Sequence, residues 1–199
     1  MPRLNLSEEE TRTLILDRAY TLFTDVGYSK TTIADIAKAC GFSAANVHKH
    51  FGTKSAINQA IASVMLGEKL KEAEAAVRRH RSASKKLRAL IVTLHLSTLE
   101  SFRHRVKVYD TLAAAAEEKW EAVRAYRLSF REMVREIVVL GCETGEFSVP
   151  DADRATQAIH MAVTRVIHPI NVVEMIDEPD AGSLDILIEF LLRGLKAGA

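Results

Sequence analysis

TTIADIAKACGFSAANVHKHFGTK, residues Thr31 to Lys54, reads as two short helices joined by a tight turn. Thr32 is placed to cap the first, and Asp35 stands three positions on, where a capping box wants an acidic or amide side chain. Ile33, Ile36, Ala37 and Cys40 then recur on one helical face. Gly41 supplies the left-handed residue that stops the helix, and Phe42 anchors the corner. Ser43 caps a second helix, Ala44 to His50, whose Val47, followed by Phe51, turns back to the core. Ala45, Asn46, His48 and Lys49 are left outward. Small residues there allow close approach, and the polar ones offer donors for base edges and phosphates, as a helix lying in a major groove requires. Between Tyr28 and Lys54 stand four lysines and one acid, a local charge of +3, although the whole chain carries only +1.

The spacing T-x-x-D-I-A-x-x-x-G-x-S-x-x-x-x-x-x-x-F-x-x-K, set by Thr32, Asp35, Ile36, Ala37, Gly41, Ser43, Phe51 and Lys54, resembles the DNA-binding signature of the TetR (tetracycline-repressor-like) family. The resemblance implies that Thr31, Thr32, Ser43, Ala44, Ala45, Asn46, His48, Lys49, His50 and Lys54 meet double-stranded DNA. His48 stands where the family usually has a phosphate-contacting tyrosine.

The rest of the chain is read as helix throughout. Its 199 residues are 48% hydrophobic and 27% charged, an ordinary globular balance. Proline occurs only at 2, 150, 169 and 179, so nothing from Arg3 to Val149 forbids long helices. The longest run without Lys, Arg, Asp or Glu is Ser55 to Gly67, 13 residues. A bilayer span needs about 20, so no membrane segment is expected. The first ten residues, MPRLNLSEEE, lack the apolar core of a secretory signal. Cys40 and Cys142 are isolated, which suits free thiols in a cytoplasmic protein and offers neither a disulfide nor a metal pair.

Ser7 opens the first helix with Glu8, Glu9 and Glu10 behind it; Ile15, Ala19, Leu22, Phe23 and Val26 form its buried stripe, and Gly27 ends it. This helix is the third leg that the two short ones need, so residues 7–53 form a helix-turn-helix DNA-binding domain. Residues 54–199 form a larger helical domain for effector binding and dimerisation. Thr53 caps a long bridging helix with Ile57, Ile61, Val64 and Met65 on its early face. A basic cluster, Arg78 to Arg88, reads as a solvated helix end. Further helices are expected at about 84–102, 105–116, 118–142, 151 to the kink or stop at Pro169, and from Asp180 or Ser183 onward. The last one carries Leu184, Leu187, Ile188, Leu191, Leu192 and Leu195, too broadly apolar for one narrow stripe.

No catalytic constellation can be assembled. Glu100 stands four residues before His104, not the three of a di-iron motif, and no Gly-rich phosphate cradle or nucleophile–base pair is present in the sequence. The expectation is therefore not an enzyme, and no cofactor. The TetR resemblance implies an all-α, ligand-responsive bacterial transcriptional regulator, most often a repressor. It would act as a homodimer through its last two helices, with Ile159, Val163, Val166, Leu187, Leu191 and Leu195 expected at the dimer face. Phe102, Tyr109, Trp120, Tyr126, Phe130 and Met133 are candidates to line a pocket for an apolar or aromatic effector. The alternatives from other classes are a helical ligand carrier or haem-type sensor, and a protein-interaction adaptor. Both leave Asn46, Lys49 and the local +3 without a purpose.

Overall fold

The computed structural model describes residues 6–103, 121–168 and 183–196. The helices are α1 (Glu8–Asp25), α2 (Ile33–Cys40), α3 (Ala44–His50), α4 (Lys54–Arg78), α5 (Ala83–Arg103), α6 (Glu121–Glu143), α7 (Ala152–Ile167) and α8 (Ser183–Lys196). No strand occurs among the described residues, and no helix is long and apolar enough to cross a membrane among them. The helix expected at 105–116 lies outside the described residues.

Two units emerge. The first runs through Met65 and also takes residues 121–123; the second takes residues 66–103, 124–168 and 183–196. The first therefore reaches past the expected boundary at Thr53, because Ile57 and Ile61 at the start of α4 are buried in its core.

In that first unit, α1 begins with a complete capping box: Ser7 Oγ accepts from the Glu10 amide at 3.2 Å, and the Glu10 carboxylate accepts from the Ser7 amide at 2.7 Å. Ile15, Ala19 and Phe23 point inward against Ile36, Ala37, Cys40, Val47 and Phe51. Val26 and Val64, expected to be buried, are about half exposed, at 44% and 53%. Thr53 Oγ1 accepts from the Ala56 amide at 3.0 Å and opens α4 as expected.

The second unit is cored by Leu87, Leu90, Ile91 and Leu94 of α5, Phe130, Val134 and Val138 of α6, Ile159 and Val163 of α7, and Ile188 of α8. Its helix ends are closed by residues distant in sequence. Glu146, delivered by the turn at Gly145 (φ 71°), caps α5. Its carboxylate accepts from Ser82 Oγ (2.8 Å), the Ala83 amide (2.9 Å) and the Ser84 amide (3.1 Å). These bonds hold it far below the usual carboxylate range, at about 2. At the other end, α7 stops at His168 before Pro169. The Val166 carbonyl accepts from His95 Nδ1 (2.6 Å) and the Ile167 carbonyl from Thr98 Oγ1 (3.2 Å), both on α5.

Candidate nucleic-acid interface

The reading face is assembled by α2, the turn and α3. Thr32 Oγ1 accepts from the Asp35 amide at 3.2 Å while Asp35 Oδ2 accepts from the Thr32 amide at 2.9 Å. The Thr32 hydroxyl also donates to that carboxylate at 2.6 Å. Together these bonds hold the Asp35 carboxyl below its ordinary range. Gly41 sits at φ 71°, a conformation that costs other residues but not glycine. The Phe42 amide then closes the turn on the Ala37 carbonyl at 2.8 Å. Ser43 Oγ accepts from the Asn46 amide at 3.2 Å and starts α3. With Val47 fully buried, the rest of α3 is set in rotation: Ala44, Ala45, His48 and Lys49 are exposed and Asn46 and His50 half-buried.

Two contacts absent from the sequence reading fix the far end of α3. Arg12, on α1, donates from Nη1 to the His50 carbonyl at 2.7 Å, and its guanidinium lies 4.2 Å from the centroid of the Phe51 ring. The helix C-terminus thereby gains a cation, which its dipole favours. His48 is held as well: its Nδ1 lies 3.1 Å from the Gly52 carbonyl oxygen. No local pattern announces Arg12, which stands 38 residues before His50; its one clue is a basic residue just past the acidic first turn of α1.

Two expected DNA contacts turn inward instead. Thr31 is buried, and its hydroxyl donates to the Gly27 carbonyl at 2.8 Å. Lys54 sends its ammonium to the carbonyls of Tyr28 (2.8 Å) and Thr31 (2.9 Å), with Nζ 4.4 Å from the Tyr28 ring centroid. The α1–α2 connection has carbonyls that lie outside any helix and need donors, and Lys54 reaches them. Thr31 therefore lies inside the head, and the half-buried Lys54 is bonded to its carbonyls. Of the other expected contacts, Thr32, Ser43, Ala44, Ala45, His48 and Lys49 are exposed, and Asn46 and His50 are half-buried.

In the second unit, Tyr126, Phe130 and Met133 share α6. Phe130 is buried in the core, Met133 is packed against it, and burial pushes the Tyr126 phenol up to about 12. Tyr109, Trp120 and the Phe102 side chain lie outside the described residues. Of the residues expected at the dimer face, Ile159, Val163, Val166 and Leu195 are buried within their own chain, whereas Leu187 and Leu191 are half-buried, packed on one side against the same core. α7 and α8 are apolar on more than one side, and the inward side took the first four. The large apolar side chains left outward are Met161 on α7 (68% exposed) and Ile186 and Phe190 on α8 (71% and 74%).

Residues 15–61 match the family model of bacterial regulatory proteins, tetR family. Residues 83–184 match that of the tetracyclin repressor-like C-terminal domain. The chain is 26% identical over 138 residues to the HTH-type transcriptional repressor KstR2 of Rhodococcus jostii (strain RHA1), covering 68% of this chain and 67% of that one. Among solved structures it is similar to the TetR family transcriptional regulator PfmR from Thermus thermophilus, with 26% identity and a TM-score of 0.61 over 91% of this chain and 98% of that one. A transcriptional regulator described as putative in Pseudomonas aeruginosa PAO1 shares the fold with a TM-score of 0.74, at 17% identity, over 98% and 94% of the two chains.

Proposed function

The chain belongs to the tetR family of bacterial regulatory proteins, and on that premise we propose that it is a repressor that binds an operator as a homodimer and is released by a small apolar effector. DNA-binding transcriptional regulation comes with the family. Repression, pairing of two copies and effector response are the finer part of the reading, and each has a specific support. Repression is the activity named for the relative KstR2.

Pairing is supported by Ile186 and Phe190, one turn apart on α8, with Met161 on the neighbouring α7. Large apolar side chains facing water are unfavourable, and a second copy of the same face covers them with the self-complementarity of a two-fold interface. Effector response is supported by the second unit's matching the family's C-terminal domain model and by buried polar atoms within it that the protein leaves without partners.

The observation that carries the reading is the face of α3: Ala45, Asn46, His48 and Lys49 outward, with the helix held at one end by Ser43 and at the other by Arg12. An amide near the helix start can pair with adenine, and a cation one turn later can meet phosphate. Genomic DNA fragments should be selected by retention on the purified protein, and the bound set aligned. A shared motif of two inverted half-sites is the expected result. Retention without a common sequence would remove the operator-reading role.

A further inference from the structure

Among the described residues, four buried side-chain polar atoms lack a hydrogen-bond partner: Asn58 Nδ2, Ser84 Oγ, Thr156 Oγ1 and His160 Nδ1. Two of them, Thr156 and His160, lie four residues apart on α7 and so share one helical face, with Cβ atoms about 5–6 Å apart. Thr156 is only 1% exposed. The His160 ring lies 5.6 Å from the Phe130 ring of α6, centroid to centroid, at an interplanar angle of 42°. The α6–α7 pair is antiparallel here, for Arg135 of α6 meets Asp153 of α7 at 2.7 Å a little before Phe130 meets His160. The two polar atoms thus fall on the packed side of this helix pair. Leaving two such atoms unpaired in one place is unfavourable, a cost that proteins accept at functional sites.

We propose that Thr156 and His160 form the polar end of the effector site and take an uncharged hydroxyl group carried on an apolar body. The inference rests on the effector-responsive reading given above. One oxygen can lie within hydrogen-bond distance of both atoms. A hydroxyl serves either arrangement, since it donates to an imidazole lone pair and accepts from the threonine hydroxyl, or the reverse. A carboxylate fits worse. Burial, and then Arg127 and Arg131, hold His160 below its ordinary range, which favours the neutral ring, and a neutral ring offers no countercharge. A buried anion beside a neutral pair is costly, and Arg127 and Arg131 are themselves exposed and screened by water. An ammonium group would need an anion beside it, and neither Thr156 nor His160 supplies one. Phe130 supplies the apolar wall that the rest of the ligand needs.

The test uses the full-length protein and matched probes: ethylbenzene, 4-ethylphenol and 4-ethylbenzoate. In thermal melts, 4-ethylphenol should stabilise the wild type more than either of the others. Thr156→Val should bind it at least about ten-fold more weakly, as loss of a buried hydrogen bond implies, while Thr156→Ser should restore binding. His160→Phe should behave like Thr156→Val. Without ligand, Thr156→Val should melt at or above the wild-type temperature, because an unpaired buried hydroxyl has been removed. A Tm several degrees lower would overturn the proposal, since the hydroxyl would then be paired in the free protein, for example to a bound water. Equal shifts with the hydrocarbon and the phenol, preference for the benzoate, or no shift with any probe would overturn it too. Binding of 4-ethylphenol that leaves operator affinity unchanged would keep the site and reject its role as the effector site.

Discussion

His48 Nδ1 and the Gly52 carbonyl oxygen stand 3.1 Å apart across the end of the reading helix. A carbonyl only accepts, so Nδ1 is the protonated nitrogen of the neutral ring and the other nitrogen, Nε2, carries a lone pair. A neutral His48 therefore presents no donor from Nε2 to a phosphate.

A tyrosine hydroxyl at this position can donate where the neutral ring's Nε2 cannot, so His48→Tyr should bind operator DNA more tightly than the wild type. Fluorescence anisotropy checks it; equal affinity of His48→Tyr and wild type would mean that position 48 faces no phosphate.

Lysines 49 and 54 should separate by salt dependence. Lys49 is exposed on α3, and Lys49→Ala should lower the slope of log affinity against log salt by about one per head. Lys54 is bonded to the Tyr28 and Thr31 carbonyls, so Lys54→Met should lower Tm and leave that slope in place. A reduced slope in Lys54→Met would return this residue to the phosphate contacts.

Glu146 makes α5 sensitive to acid. Its carboxyl lies near 2 in the folded chain against an ordinary 4.5, so its contribution is fully present above the ordinary value and is lost as pH falls from there toward about 2. Glu146→Gln should lower stability at neutral pH by about 1 kcal/mol, the worth of a helix cap, and should flatten the acid limb. Chemical denaturation at several pH values measures both.

Gly141 is required by Phe147. A Cβ at position 141 would fall within the Phe147 ring, which is buried in the core and whose own amide bonds the Gly141 carbonyl at 2.9 Å. Gly141→Ala should cost about 1–3 kcal/mol through overpacking, and adding Phe147→Leu should recover part of that loss. Equal melting of Gly141→Ala and wild type would contradict this packing.

The head was legible in sequence because its determinants are local. Ser7 with Glu10, Thr32 with Asp35, and Gly41 before Ser43 are spaced by three residues or fewer, and each plays the part its spacing implies. Thr31, Lys54 and Arg12 were not, because their roles depend on carbonyls brought near by folding: periodicity places a side chain on a face but does not say which acceptor it meets. The outer face of α7 and α8 escaped for a different reason. Both helices are apolar on several sides, so spacing alone could not tell Ile159 and Val163, which are buried, from Met161, which is not.

The central claim is that two α3 helices, paired through the α7–α8 face, read one operator. Hydroxyl-radical footprinting of a selected operator fragment, with wild type and Phe190→Glu side by side, tests it most directly. Wild type should protect two half-sites centred about 10 base pairs, or a multiple of that, apart. Phe190→Glu should sediment as a monomer and leave the fragment unprotected at the same concentration. One continuous footprint from a monomeric wild type, or the same paired footprint from a monomeric Phe190→Glu, would contradict the account.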